Sequence, residues 1–306
     1  GTIDFSRGIG TGAYRLREFK PGVRTLVQRN PEYWRDGRPW LEEIELIGIP
    51  DELSRVNALL SGDVHLTIAL DPRSTRRVRE SPGHAIQVTE SGLYTNLILR
   101  QDERPTSSPD LVRAMQYLFD RPTIQRALYR GYATIANDHP IPPSHPYYNP
   151  DIPQRQYDPD RARFHLKRAG LLGIRLPLYA SPAANQSVEM AAMLQQSATA
   201  AGLNLAINRV PSDSYWSSHW FKHPATFGNT NPRPTADLLF STMFQSNAPW
   251  NESAWRNERF DSLVVAARAE RDEARRREMY GEMQRLVHEH CGLGIPVFIP
   301  MIDGYD

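Results

Sequence analysis

Leu176-Pro177-Leu178-Tyr179 is followed by Glu189-Met190-Ala191-Ala192-Met193-Leu194 running on to Ala198, and then by Leu203 to Val210. The first and third segments have the alternation of strands, and the middle one repeats its apolar residues at helical spacing. Gly202 stands where a helix C-terminus needs a residue tolerant of positive φ. Strand, helix, strand in this order predicts a crossover unit inside a parallel or mixed sheet. The class expected is therefore α/β.

Reading outward, the same signals recur. Asp158-Pro159 opens a helix that Gly170 closes, and Ser108-Pro109-Asp110 opens another. Leu111, Met115, Leu118 and Phe119 form the apolar stripe of that helix. Asp120-Arg121-Pro122 breaks it, with Asp120 and Arg121 expected as an ion pair at the helix end, and a further helix runs from Thr123 to Arg130. Tyr94 to Leu99 reads as a strand. Toward the C-terminus, two long helices are expected at about 257–269 and 272–290, then a strand at Ile295 to Ile299. In the opening third, Gly10 and Gly12 let the chain turn and pack closely before a strand, and Pro21-Gly22 joins it to Thr25–Arg29 as a hairpin. Ile44 to Ile49, a helix capped by Asp51 and ended by Gly62, and Val64 to Ala69 predict a second crossover unit. Tyr33 and Trp34 are expected to pack in the core or between lobes rather than to contact a ligand.

Composition narrows the function. The 306 residues exceed one ordinary domain and suggest two lobes or one large α/β unit. Lys plus Arg number 36 against 35 Asp plus Glu, without the basic excess that nucleic-acid binding requires. Arg275–Arg277 is flanked by Glu273 and Glu278 and reads as a solvated helix face. The single cysteine, Cys291, cannot form an internal disulfide and reads as a small buried side chain near a helix end. No run of 18 apolar residues would cross a membrane as a helix, and no signal-peptide pattern is present.

Catalytic templates fail in turn. There is no phosphate-binding loop, no dinucleotide glycine motif and no Gly-x-Ser-x-Gly elbow. His219 and His223 stand four apart, but the zinc-protease pattern needs Glu after the first His, where this chain has Trp220. His288 and His290 are two apart and face different ways on a helix. No catalytic residue, metal ligand or cofactor is assigned.

What remains is an ordered set of phrases. They are Gly10-Thr11-Gly12-Ala13-Tyr14-Arg15-Leu16, Arg29-Asn30-Pro31-Glu32-Tyr33-Trp34, Val56 to Val64, Tyr94-Thr95-Asn96, Ser108 to Arg121, Gly131 to Pro143 and Tyr157 to Gly170. In that order they resemble the successive signatures of family 5 extracellular solute-binding proteins, the dipeptide, oligopeptide and nickel binders. The resemblance implies a two-lobed, cleft-closing periplasmic-binding-protein fold, truncated here at both ends. Residues 1–105 and 294–306 would belong to lobe one and 106–293 to lobe two, with the N-terminal part of lobe one and an extra subdomain absent. It implies the extracytoplasmic or periplasmic, optionally lipid-anchored, binding component of an ABC importer. Its partners would be a small-molecule or short-peptide ligand and the permease and ATPase subunits, and the full-length protein would be monomeric. A sensor or chaperone of the same fold, a binder of metal complexes or haem, and a hydrolase stay open as alternatives.

The resemblance also implies where a ligand sits. Tyr94 and Asn96 form one region. Tyr215, Trp216 and Trp220, followed by Asn229, Asn231 and Arg233, form the other. Aromatic walls supply contact area, and the amides and the guanidinium fix orientation. Arg233 suits a carboxylate. Peptide binders of the family carry an acid in this loop, but Asn229 to Pro234 has none, and Asp237 reads as part of the next helix. An α-amine buried without an anion is costly. That argues against a plain dipeptide and for opines, modified amino acids, sugar acids or other small polar solutes.

Overall fold

The computed structural model describes residues 10–306. Expectations about the opening nine residues lie outside the described part. The chain divides into two compact units, Gly1–Ile86 with Asp303–Asp306 and Gln87–Ile302.

In the first unit, β1 (Tyr14–Lys20), β2 (Arg24–Arg29) and β3 (Glu43–Ile47) make a three-stranded antiparallel sheet. Asp51 then accepts a hydrogen bond from Ser54 N at 2.8 Å and caps α1 (Glu52–Leu60). The expected crossover unit does not form. Val64 N donates to Ala58 O to close the end of α1, so it is lost to any ladder, and Ala69 turns to φ 55°. Only β4 (Leu66–Thr67) remains, followed by α2 (Thr75–Arg79). β4 pairs with Gly304 and Tyr305, far along the chain, and not with β3. Two other expectations are not met within this unit, although Tyr33 is half-buried. Trp34 is 77% exposed, and a side chain at Gly10 or Gly12 would meet nothing closer than Tyr14 O at 3.9 Å.

The second unit is built on β5 (Ala85–Leu99), whose early residues precede the break. Then come α3 (Pro109–Tyr117), α4 (Arg121–Tyr129), β6 (Thr134–Ile135), α5 (Pro159–Arg168), β7 (Arg175–Ala180), α6 (Ser187–Ala201) and β8 (Asn204–Arg209). The predicted crossover is present, with β7 and β8 parallel and in register from Arg175↔Asn204 to Ala180↔Arg209. After these come α7 (Tyr215–Ser218), β9 (Ala225–Thr230), α8 (Ala236–Met243), α9 (Glu258–Ala269), α10 (Glu273–His290), β10 (Leu293–Gly294) and β11 (Val297–Tyr305). The strand order β11-β5-β9-β7-β8 makes the sheet mixed, because β9 runs antiparallel to β5 and parallel to β7.

Helices cover both faces. Leu97 and Leu99 point into one core with Leu111, Met115, Leu166, Met190 and Phe227. Ile98, one residue out of phase, points into a second core with Phe240, Phe260, Met283 and Val287. Strict alternation along one strand thus serves both layers.

The helix starts follow local chemistry. Ser108, Asp120, Asp158, Thr235, Asn257 and Asp272 each accept from a backbone N–H in the first turn. Asp158→Ala is expected to lower stability by about 1 kcal/mol in urea melts, the ordinary value of an N-cap. Asp120 is thus a cap, and the expected ion pair with Arg121 is replaced by one between Arg121 and the buried Asp138 at 2.6 Å.

Candidate functional site

Strand register sorts the expected ligand residues onto opposite faces. Tyr94 faces Thr230 and Asn96 faces Gly228, on the side of the second core. Thr95 faces Asn229 on the other side. Tyr94 is fully buried, with its ring edge-on to Phe298 at 6.1 Å. Burial pushes its phenol well above the usual range. Tyr215 is also fully buried and donates its hydroxyl to Phe227 O at 2.6 Å. Both rings act within the protein interior.

Asn96 is fully buried as well, and the remaining candidates reach solvent. Trp216 is 42% exposed, and its ring stands edge-on to Trp220 at 5.7 Å. Asn229 is half-buried and its Oδ1 accepts from Thr95 Oγ1 at 3.2 Å, beside the Asn185 carbonyl that accepts from the same hydroxyl at 2.8 Å. Asn231 is exposed. Arg233 is half-buried, lies over the Trp250 ring at 5.2 Å and donates to Asn231 O at 3.1 Å. Among the described residues it has no carboxylate partner. It opens instead on a cavity of about 370 Å³ whose walls include Pro142, His145, Pro232, Leu239 and Met301, with the exposed Glu90 as the one acid lining it. Thr235, the cap of α8, lies on the same wall.

One residue escaped sequence reasoning. Glu252 is 3% exposed and accepts from Asn96 Nδ2 at 2.8 Å and from Trp220 Nε1 at 2.8 Å. Burial lifts its carboxyl to about 7, although both hydrogen bonds pull the other way. The site depends on Gly228, where a Cβ would stand 2.5 Å from Glu252 Oε1 and 3.1 Å from Asn96 Oδ1. Nothing in Trp250-Asn251-Glu252-Ser253 marks that acid as interior, since a lone Glu in a polar turn reads as surface.

His219 and His223 do meet, with Nδ1 and Nε2 3.1 Å apart and the His223 ring stacked on Tyr179 at 3.6 Å. No group of three or more His, Cys, Asp or Glu suited to a metal occurs among the described residues. His288 is buried and His290 exposed, as their spacing requires. Asp237 sits in α8 and pairs with Arg268 at 2.7 Å.

The mixed sheet with helices on both faces is the α/β fold of periplasmic binding proteins. It superposes on the NikZ protein of Campylobacter jejuni in complex with Ni(L-His), with a TM-score of 0.88 at 18% identity, over 99% of this chain and 64% of that one. Residues 4–252 match the family described as bacterial extracellular solute-binding proteins, family 5 Middle. The chain belongs to that family, which is defined by solute binding and not by catalysis. The dipeptide-binding protein of Escherichia coli is 24% identical over 92% of this chain and 54% of its own length. Heme-binding protein A of Haemophilus influenzae is 24% identical over 99% of this chain and 58% of its own length. The chain therefore spans a little over half the length of these curated relatives.

Proposed function

We propose that the chain forms part of the extracytoplasmic solute-binding component of an ABC importer, one that takes up a short peptide or a related small polar solute. Opines, modified amino acids and sugar acids are included in that class. Permease and ATPase subunits at the membrane are its partners. The family match over residues 4–252 supports this reading.

For the ligand, the observation that carries most is the cavity at Arg233. Its volume of about 370 Å³ suits a small solute, its walls are largely apolar, and its one guanidinium has no acid bound to it. A solute carboxylate would complete Arg233, with the neighbouring Asn231 amide as a second contact, whereas Asn229 faces the other side of the sheet with Thr95. The loop itself supplies no acid, Glu252 is buried and already engaged, and Glu90, the one acid lining the cavity, is solvent-exposed and so offers an amine only a screened partner. The reading therefore favours a carboxylate solute without a free α-amine over a plain dipeptide.

The test is mass spectrometry of small molecules released by denaturing the purified full-length protein, with visible absorbance to reveal haem. A stoichiometric carboxylate solute is expected. In the same protein Arg233→Gln should weaken binding of that solute about 10- to 100-fold, the loss of one charge-assisted contact. Unchanged affinity would remove Arg233 from the site. Recovery of an intact dipeptide would overturn the ligand preference, and recovery of haem would favour the haem-binder reading.

A further inference from the structure

Among the described residues Glu252 has no cation paired with it, which is unusual for so deeply buried a carboxylate. It comes from the turn between α8 and α9 and reaches the β5–β9 face at Gly228. The absence of a side chain at Gly228 makes room for it. Two N–H donors hold it, the Asn96 amide and the Trp220 indole. The groups facing it from the packed elements are Tyr94 on β5, Tyr215 on α7 and Cys291 at the end of α10. Burial pushes all three up, so they are neutral near neutral pH. Arg233 acts on Tyr94 and is not among the groups acting on Glu252.

The geometry also provides for the protonated form. Asn96 Oδ1 is buried and has no hydrogen-bond partner. It belongs to the same amide whose Nδ2 donates to Glu252 Oε2. A neutral carboxyl carries a donor, and Asn96 Oδ1 is a buried, unpaired acceptor on the amide that already contacts it. The anion leaves that oxygen unpaired, whereas the acid can use it. Trp220 responds in the opposite sense, because a hydrogen bond to a carboxylate is roughly twice as strong as one to a neutral oxygen.

Trp220 is not isolated. Its ring contacts Phe221 at 4.1 Å and stands edge-on to the exposed Trp216 at 5.7 Å. Phe221 is held at φ 63°, a conformation uncommon for a bulky residue. We propose that Glu252 is a proton-sensitive positioning residue whose charged carboxylate holds the Trp220 indole, and with it the Trp216–Phe221 aromatic cluster, while its neutral form loosens that hold. The protein thus carries a pH-responsive element beside an exposed aromatic side chain, Trp216. The inference needs no ligand, so it can fail without affecting the transport reading.

The experiment is ¹⁹F NMR of the full-length protein labelled with 5-fluorotryptophan, followed from about pH 5 to about pH 9. Trp220→Phe assigns the resonance. The Trp220 signal should titrate with a midpoint at about 7, and Glu252→Gln should abolish the titration. The sign for stability follows from the same raised pKa. Stability contributed by Glu252 is complete below the carboxyl's unfolded value and is lost as pH rises through about 7. The Tm of the wild type relative to Glu252→Gln should therefore fall across that interval. A Trp220 signal that stays flat, or that titrates unchanged in Glu252→Gln, overturns the proposal. Should Glu252→Gln not fold, a His219→Asn/His223→Asn variant decides: a midpoint that survives supports Glu252, and one that disappears assigns the titration to the histidines.

Discussion

Asp138→Ala should lose about 3–5 kcal/mol of folding stability, the range for removing one partner of a buried ion pair. Asp138 is fully buried, sits at φ 55° and holds two guanidiniums, Arg121 at 2.6 Å and Arg155 at 2.9 Å. Its other oxygen accepts from Ile295 N at 3.0 Å. Arg155 continues the network to His288 O at 2.8 Å, and His288 Nδ1 returns to Asn137 O at 2.7 Å. Removing the carboxylate would leave two buried cations facing each other. The exposed pair Arg268–Asp237 is the contrast, since Asp237→Ala should cost less than about 1 kcal/mol. Urea denaturation of the two variants measures both. Equal losses would show that the buried network is no more than a surface pair in effect. Burial alone would raise the Asp138 carboxyl, but Arg121 and Arg155, with His288, hold it below the ordinary value. Its contribution is therefore present above the normal carboxylate range and lost as pH falls through the depressed folded value. Asp138→Asn should flatten that acid limb.

Gly292→Ala should be at least as damaging. A Cβ there would lie 2.1 Å from Leu99 O and 3.0 Å from Gln101 Cγ. The backbone has nowhere to go, because Leu99 N donates to Gly292 O at 2.7 Å and Gln101 Oε1 accepts from Gly292 N at 2.7 Å. Accommodating one methyl group would part β10 from β5 at the centre of the second unit. A loss of about 4 kcal/mol or more is expected, in the upper tail for single substitutions. Gly131→Ala is the control. It has positive φ but open space around it, so only the backbone term of about 1 kcal/mol applies. A Gly292 variant as stable as the Gly131 variant would mean that the strand pair slides freely.

Much of this fold is legible in the sequence because it is written locally. Ser108, Asp158 and Asp51 cap the helices they precede, and Gly202 ends α6 at φ 86°. These are interactions within a few residues. The Leu176–Val210 crossover is also local, since a helix between two strands leaves little choice of geometry. Long-range pairing is not written this way. β4 chose Gly304 and Tyr305 over β3, and Arg121 chose Asp138 over its neighbour Asp120. The candidate site divides along the same line. The type of residue in Tyr94, Asn96, Asn229 and Arg233 is visible in the sequence, but register is not. A one-residue difference in register would have placed Asn96 and Asn229 on one face. Glu252 was invisible because only the folded chain shows that the position opposite it is Gly228.

Cys291 has one further use. Its thiol is 1% exposed, lies 3.4 Å from Ser253 Oγ, and is pushed by burial up to about 12. A thiol reagent finds almost no thiolate and no path to it in the native protein. Labelling must therefore wait for the C-terminal end of α10 to open, and its rate should track the equilibrium population of that opening when reclosing is fast. As the single sulfhydryl of these 306 residues, it is a built-in clock for local unfolding. It can be read by adding reagent to the unmodified protein and following the absorbance, and the clock should run faster in Gly292→Ala than in Asp158→Ala.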